Sequence, residues 1–339
     1  MPDKALIAPS VSEPPSPPAP RERRWAKALN RHDYGALVVF VAVAAFLALQ
    51  SDSFLTNQNL SNIARNFSPI AIIALGQSMV IIIGGIDLSV GATLALAGLI
   101  TARCTQVGLP VPLAIGAGLF VGLAVGLING LAVARVRLPA FIVTLGTMSI
   151  ARGIAYGLTR GWSVTTMPES FLFLGQRDLS IGPWSVPLAL LLALTMALVV
   201  HLFLNRTVVG RHIYALSSGE RALLASGVDV LHLKELVYTL CGLLAAAGGL
   251  LMTARLGVAA PAAAVGYEVD VVAAAVIGGT SMFGGVGTTL GVLLGAAITQ
   301  MLYNGLVLLG LPGYWQTVTI GAMILAAVLL DYWRRRRQL

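Results

Sequence analysis

Residues 110–134 read PVPLAIGAGLFVGLAVGLINGLAVA and decide the kind of fold. These 25 residues include no charged side chain. As a helix they would extend about 37 Å, which is enough to cross the roughly 30 Å hydrocarbon core of a bilayer. Gly118, Gly122, Gly126 and Gly130 recur at every fourth position, so they share one helix face and permit close packing against another helix. The stretch therefore predicts a transmembrane helix.

Similar apolar stretches continue on both sides of this one. Of the 339 residues, 57% are hydrophobic and 11% are charged, whereas about a quarter of an average soluble protein is charged. This composition excludes a water-soluble enzyme and predicts an all-α polytopic membrane protein with about ten transmembrane helices. The segments lie near 35–51, 62–83, 88–107, 110–134, 140–158, 186–204, 234–254, 269–283, 287–309 and 313–331. The segment 269–283 is short and would reach about 22 Å as a helix.

The basic residues predict the orientation in the membrane. Sixteen of the 22 Lys and Arg residues lie in 1–34, 135–137, 205–234 and 334–337. With ten crossings, all of these segments and both termini face the cytosol, as the positive-inside rule requires. The chain is thus predicted to have a disordered, basic, proline-rich cytosolic tail at 1–34, a transmembrane domain at 35–331 and a basic cytosolic tail at 332–339.

Several classes of function lack the residues that they need. A nucleotide-binding P-loop requires a lysine directly after a glycine, and none of Lys4, Lys27 and Lys234 follows a glycine. The four histidines lack the spacing of metal ligands, and Cys104 and Cys241 lie within apolar stretches as small core residues. The basic residues form no stripe for DNA or RNA. We therefore expect no ATPase activity, no metal site and no nucleic-acid partner.

A glycine-rich stretch, GGIDLSVG at 84–91, interrupts two apolar segments on the predicted cytosolic side. Gly84 and Gly85 can end one helix, and Asp87 or Ser89 can cap the next by accepting its free N–H groups. A plain helical hairpin explains this stretch. The alternative is a broken helix that turns polar groups toward a substrate path.

A second stretch, GGTSMFGGVGT at 278–288, begins with Gly278 and Gly279 and also precedes an apolar segment. It resembles the first stretch in composition and lies on the same predicted side. The two breaks therefore suggest a parallel internal repeat.

The polar residues inside the apolar segments are neutral rather than acidic. The nearest acids, which lie at segment ends, are Asp87, Glu235, Glu268, Asp270 and Asp331. Ion-driven carriers usually keep carboxylates at mid-membrane, so the absence of buried acids disfavours ion coupling. The neutral residues are Asn66, Gln77, Asn129, Thr144, Thr147, Gln300, Asn304 and Gln316. Such groups either join helices or line a path for a neutral, hydroxyl-rich solute, and for the path we predict Asn66, Gln77, Asn129, Thr144 and Asn304.

Four motifs carry a resemblance to a known family. They are GGIDLSVG at 84–91, TLGTM at 144–148 with Arg152 and Gly153, GRHIYAL at 210–216, and GGTS at 278–281 followed by 284–285 (GG) and 287–288 (GT). From about residue 35 to residue 331, the chain resembles the ribose-type sugar permeases of bacterial ATP-binding cassette (ABC) importers, within the branched-chain amino acid and sugar permease superfamily.

The resemblance implies a multi-pass subunit of the bacterial inner membrane that imports a monosaccharide or sugar-like solute. It also implies a second permease copy, separate cytosolic ATPase subunits that bind ATP and Mg, and a periplasmic binding protein, with no cofactor in this chain. A branched-chain amino-acid permease of a related importer is one alternative. An ion-driven carrier, which the neutral polar set disfavours, is the other.

Two surfaces are predicted to meet these partners. By resemblance, the segment 217–230 is a coupling helix that enters a cleft of the ATPase, although a solvated amphipathic connector is the alternative. The residues assigned to coupling are Gly219, Glu220, Arg221, Ala222, Ala225, Ser226 and Gly227. Charge in the external segments 159–185 and 255–268 predicts docking of the binding protein. The residues assigned to docking are Glu169, Arg177, Asp178, Arg255 and Glu268.

Overall fold

The computed structural model describes residues 22–182 and 184–336, and most of them are helical. The helices are α1 (Glu22–Gln50), α2 (Asn57–Ile82), α3 (Val90–Gln106), α4 (Val111–Ala134), α5 (Ala140–Thr159), α6 (Glu169–Gln176), α7 (Leu188–Arg206), α8 (Val208–Ser218), α9 (Glu220–Ala225), α10 (Val230–Leu256), α11 (Tyr267–Ile277), α12 (Thr289–Leu308) and α13 (Tyr314–Arg336). Between α6 and α7, the strands β1 (Asp178–Ile181) and β2 (Trp184–Pro187) form an antiparallel hairpin. This hairpin is the departure from the all-α prediction.

Each of the ten predicted segments overlaps a helix. Within the described residues, seven helices are long and apolar enough to cross a membrane: α2, α4, α5, α7, α10, α12 and α13. The prediction of a helix over 269–283 is wrong in extent, because α11 ends at Ile277 and the chain turns at Gly279 (φ +91°). The 11 residues of α11 cover about 16 Å, so this helix reaches only part of the way across a bilayer.

Several predicted connections contain regular structure. Helix α1 begins at Glu22, inside the predicted tail 1–34, and α13 continues to Arg336, inside the predicted tail 332–339. Residues 1–21 and 337–339 lie outside the described residues, so the disorder of the tails stays a prediction. The segment 159–185 contains α6 and most of the β1–β2 hairpin, and the segment 217–230 contains α9.

The bundle has two ends, which we name from their elements. The hairpin end contains α6, β1 and β2, and an ion pair between Arg65 and Asp178 joins the hairpin to α2. The α9 end contains α8 and α9, and there an ion pair between Arg135 and Glu235 joins the end of α4 to α10. Most of α2 and α10 is buried, whereas α4, α5 and α7 expose most of their apolar surface. Lipid tails are as apolar as these side chains, so such surface needs no protein cover.

The glycine stripe of α4 packs against α10, as its spacing predicts. Gly122 faces Gly242, and Gly126 lies against the backbone of Tyr238 and Thr239. A Cβ atom at Gly126 would lie 2.8 Å from the Cα atom of Thr239, which is closer than real Cβ contacts come. The missing side chains therefore set the short separation between α4 and α10.

Candidate functional site

The first glycine break folds back into the bundle. Gly84 (φ +84°) follows the last turn of α2, and Asp87 comes between α2 and α3. The carboxylate Oδ1 of Asp87 accepts hydrogen bonds from the backbone N–H of Ser89 at 2.8 Å and from the Ser89 hydroxyl at 2.6 Å. Asp87 is only 1% exposed. The expectation of no buried acids is therefore wrong for Asp87, because α2, α4 and α10 cover the break, and for Glu235, which is 7% exposed on α10.

Asn129, a predicted path residue on α4, completes the polar cluster at this break. Its Nδ2 donates to Ser89 Oγ at 2.9 Å and to Asp87 Oδ2 at 3.4 Å. Its Oδ1 accepts a hydrogen bond of 2.7 Å from the Thr147 hydroxyl on α5. Asn129 thus joins α4 and α5 to the break through both ends of its amide.

Two more predicted path residues hold the backbone of the break. The amide of Gln77, oriented so that both of its polar atoms are satisfied, donates to the carbonyl of Asp87 at 3.0 Å and accepts from its N–H at 3.1 Å. The Thr144 hydroxyl donates to the carbonyl of Ile86 at 3.3 Å. Gln77, Asn129 and Thr144 are all fully buried. Their geometry favours helix joining over the lining of a path.

The second glycine break lies against α2 and α8. The N–H of Gly285 donates to the carbonyl of Ile82, the last residue of α2, at 2.9 Å. The Ser217 hydroxyl on α8 donates to the carbonyl of Phe283 at 3.1 Å. A chain of direct contacts therefore runs from α8 through the second break to the helix that precedes the first break.

A cavity of about 900 Å³ lies among α2, α10, α11, α12 and α13, in the half of the bundle near the hairpin end. We call it the hairpin-half cavity, and its volume falls within the roughly 300–1,000 Å³ of small-molecule sites. Its polar lining consists of Asn62, Asn66, Arg255, Tyr267, Asp270, Gln300, Tyr303, Asn304, Gln316 and Thr317. Asn66 and Asn304 are thus the predicted path residues that line a cavity large enough for a solute.

Sequence reasoning missed much of this lining. Asn62 lies one turn before Asn66 on α2, and Gln300 lies one turn before Asn304 on α12, so helical spacing offered a signal. No comparable signal connects Asp270 to the cavity, because its partner is a tertiary contact. The Tyr303 hydroxyl on α12 donates to Asp270 Oδ1 at 2.7 Å.

The predicted docking residues differ in their accessibility. Glu169 and Arg177 are exposed at the hairpin end. Asp178 is engaged in the ion pair that holds the hairpin, and Arg255 lines the hairpin-half cavity. Glu268 is half-buried. Glu169 and Arg177 are therefore the members of this set whose side chains are accessible to a partner.

The predicted coupling residues lie on the surface of the α9 end. Helix α9 has no buried residue, and Lys234 Nζ donates to Glu220 at 3.0 Å. The exposed residues here are Glu220, Arg221, Ala222, Ala225, Ser226 and Gly227, whereas Gly219 is half-buried. At the start of α10, the backbone N–H of His232 bonds the carboxylate of Asp229 and holds the pKa of Asp229 below its usual range. A short, unburied helix that includes the small residues Ala222 and Ala225 is thus available for contact.

Membrane-length helices, two glycine breaks and a polar cavity together characterise a polytopic membrane protein. The chain belongs to the family described as the permease component of branched-chain amino acid transport systems, which it matches over residues 59–328. This match confirms the superfamily that the sequence motifs indicate, and the relatives described next confirm the resemblance to ribose-type permeases.

Several curated relatives are similar over nearly the whole chain. The chain is 42% identical to the ribose import permease protein of Escherichia coli (strain K12) over 301 residues, which cover 87% of this chain and 91% of the relative. It is 38% identical to the D-allose transport system permease protein of the same organism over 88% of this chain and 91% of that one. It is 32% identical to the L-arabinose ABC transporter permease protein of Azospirillum brasilense over 98% and 96% of the two chains. No solved structure matches the chain.

Proposed function

We propose that this chain is the transmembrane permease subunit of an ABC importer that carries a monosaccharide or sugar-like solute across the bacterial inner membrane. The observation that carries the proposal is the similarity, over at least 87% of the chain, to permeases named for ribose, D-allose and L-arabinose. The hairpin-half cavity supports it, because eight of its ten polar lining residues carry amides or hydroxyls, which pair with a neutral polyol.

We assign the α9 end to the cytosol and the hairpin end to the periplasm. Arg135, Arg211 and Lys234 belong to the α9 end, and the positive-inside rule favours that orientation. To reach ten crossings with cytosolic termini, α1, α3 and α11 must cross the membrane in addition to the seven long helices, together with their adjoining loops.

Single cysteines at Ala225 and Ser163, in a chain without Cys104 and Cys241, test this assignment. A membrane-impermeant thiol reagent should label only the Ser163→Cys variant from the periplasm, and the reverse labelling would contradict the assignment.

The power for transport comes from partners in this proposal. The sequence contains no G-x-x-x-x-G-K-[ST] motif, so we assign ATP and Mg to separate cytosolic ATPase subunits. We further assign a second copy of this permease and a periplasmic binding protein that delivers the solute. The exposure of α9 supports a contact with the ATPase, and the bond from Ser217 to the second break supports transmission from that contact into the bundle.

Reconstitution in proteoliposomes with the cognate ATPase and binding protein tests the function. We expect uptake of labelled D-ribose, D-allose or L-arabinose that requires ATP and the binding protein and that a protonophore does not inhibit. Uptake of L-leucine instead of the sugars would assign the related amino-acid importer class. Uptake that survives loss of the ATPase but stops with a protonophore would assign an ion-driven carrier.

A further inference from the structure

Gln300 is the most unusual polar residue of the hairpin-half cavity. It lines the cavity from α12 and is only 6% exposed. Its Nε2 has no hydrogen-bond partner among the residues that the structure describes. An amide donor that is buried without a partner is costly, so native proteins rarely keep one without a reason. A solute that accepts a hydrogen bond in the cavity would remove that cost.

Two charged residues of the same cavity are held by neutral side chains. Asp270 accepts a hydrogen bond from the Tyr303 hydroxyl, and the Arg255 guanidinium donates to Asn66 Oδ1. Within the described residues, neither Asp270 nor Arg255 takes part in an ion pair. Neutral partners fix the positions of these groups and leave their charge available for charge-assisted hydrogen bonds to a solute.

The chemistry of the lining fits a neutral polyol better than a branched aliphatic amino acid. A hydroxyl both donates and accepts hydrogen bonds, and the amides of Asn62, Gln300 and Gln316 do the same. The cavity is lined by side chains from five helices, so polar groups surround it on several sides. The ammonium and carboxylate of an amino acid can pair with Asp270 and Arg255, but its aliphatic side chain would leave the amides and hydroxyls of the lining without partners, which disfavours it.

We propose that the hairpin-half cavity is a solute-binding subsite for a neutral polyhydroxylated molecule, with Gln300, the Asp270–Tyr303 pair and the Arg255–Asn66 pair as its contacts. The permease itself then distinguishes solutes after the binding protein has released them. This inference rests on the proposed function and deepens it, because it assigns part of the selectivity to the membrane subunit.

Binding to the full-length permease in nanodiscs, without its partners, tests the subsite directly. D-ribose, D-allose or L-arabinose at millimolar concentration should raise the thermal unfolding temperature, because a ligand that binds only the folded state stabilises it. L-leucine should leave the temperature unchanged. Stabilisation by L-leucine and by none of the sugars would overturn the proposed chemistry of the subsite.

Transport per ATP hydrolysed by the complete complex provides the second readout. Gln300→Met keeps the length of the side chain and removes its hydrogen-bonding groups, so we expect about fivefold less solute moved per ATP. Asp270→Asn keeps the shape of the side chain and removes its charge, so we expect the amount of solute moved per ATP to fall at least about tenfold. Gln106→Met, the same change at an exposed position at the end of α3, is the matched control and should behave as wild type.

The outcomes separate the subsite from the function. A wild-type complex that imports none of the sugars would overturn the proposed function itself. A wild-type complex that imports sugar, together with Gln300→Met and Asp270→Asn complexes that match Gln106→Met, would overturn only the subsite. Reduced transport in both variants, with ATP hydrolysis still stimulated by the loaded binding protein, would support it.

Discussion

Asn129 shows how one side chain can organise a broken helix. Its amide bonds Asp87 and Ser89 in the break and Thr147 on the neighbouring helix. The carboxylate of Asp87 is buried, and each hydrogen bond that it accepts offsets part of the free energy lost when water is removed from a charge. The stability of the break should therefore depend on Asn129 more than on a typical buried polar residue.

Replacement of Asn129 tests this dependence. Asn129→Leu removes donors from Asp87 and Ser89 and an acceptor from Thr147, so we expect the free energy of unfolding to fall by about 1–2 kcal/mol. Unfolding in SDS-titrated mixed micelles measures it. Thr195→Val removes a hydroxyl that bonds only the carbonyl of Leu191 on exposed α7, so it serves as the control and should cost less than about 0.5 kcal/mol. Equal costs for the two variants would contradict the role of Asn129.

At the scale of elements, the contact between α4 and α10 depends on the absence of side chains. Gly126→Leu places a side chain against the backbone of Tyr238 and Thr239, and backbone atoms cannot move aside as a flexible side chain can. We expect this variant to lower the free energy of unfolding by about 1–3 kcal/mol or more.

Gly116 offers a matched control on the same helix. It is exposed, and nothing lies within 4 Å of a Cβ atom built there, so Gly116→Leu should be nearly neutral. Unfolding measurements on both variants separate the effect of close packing from the effect of adding a leucine, because both variants add the same side chain to α4. Similar destabilisation of both would show that α4 tolerates leucine poorly everywhere and that close packing is not the cause.

For the whole molecule, Glu169 tests docking at the hairpin end. Glu169→Lys should slow association with the binding protein roughly two- to fivefold at low salt, because charged rims steer encounter. The difference should shrink as salt rises, since the screening length falls from about 30 Å at 0.01 M to about 8 Å at 0.15 M. Asp178 is unsuitable for this test because its reversal would also break the ion pair with Arg65. An unchanged association rate at low salt would contradict the docking proposal.

At the opposite end, Ala225 tests coupling. Ala225→Arg adds a long charged side chain to exposed α9, so the fold should tolerate it, whereas a packed ATPase cleft should not. We expect loss of ATPase co-purification and of substrate-stimulated ATP hydrolysis in nanodiscs. Ser170→Arg, an exposed position on α6 at the hairpin end, is the control and should retain the ATPase. Normal ATPase recovery with Ala225→Arg would favour the solvated connector.

Much of the whole bundle could be predicted from local patterns. Apolar length located the ten helical segments, and the spacing of Gly118 to Gly130 predicted the close helix contact. The extent of α11 was mispredicted because Met282 and Phe283 continue the apolar character of 271–277 beyond the glycines, whereas Gly278 and Gly279, which the sequence also marks as a break, end the helix. The hairpin at Asp178–Pro187 was missed because four-residue strands give little periodic signal.

The sequence by itself determined that the chain is a helical membrane protein, which of its helix faces could pack closely, and which family it belongs to. Hydrophobic length, residue spacing and motif order are properties of the chain alone, so they can be read without coordinates. The role of each polar residue was determined only by the tertiary structure. Gln77, Asn129 and Thr144 hold a buried break, whereas Asn66 and Asn304 line a cavity. A polar side chain forms bonds with whatever groups the neighbouring helices bring within about 3 Å of it, and only the packed bundle determines those groups.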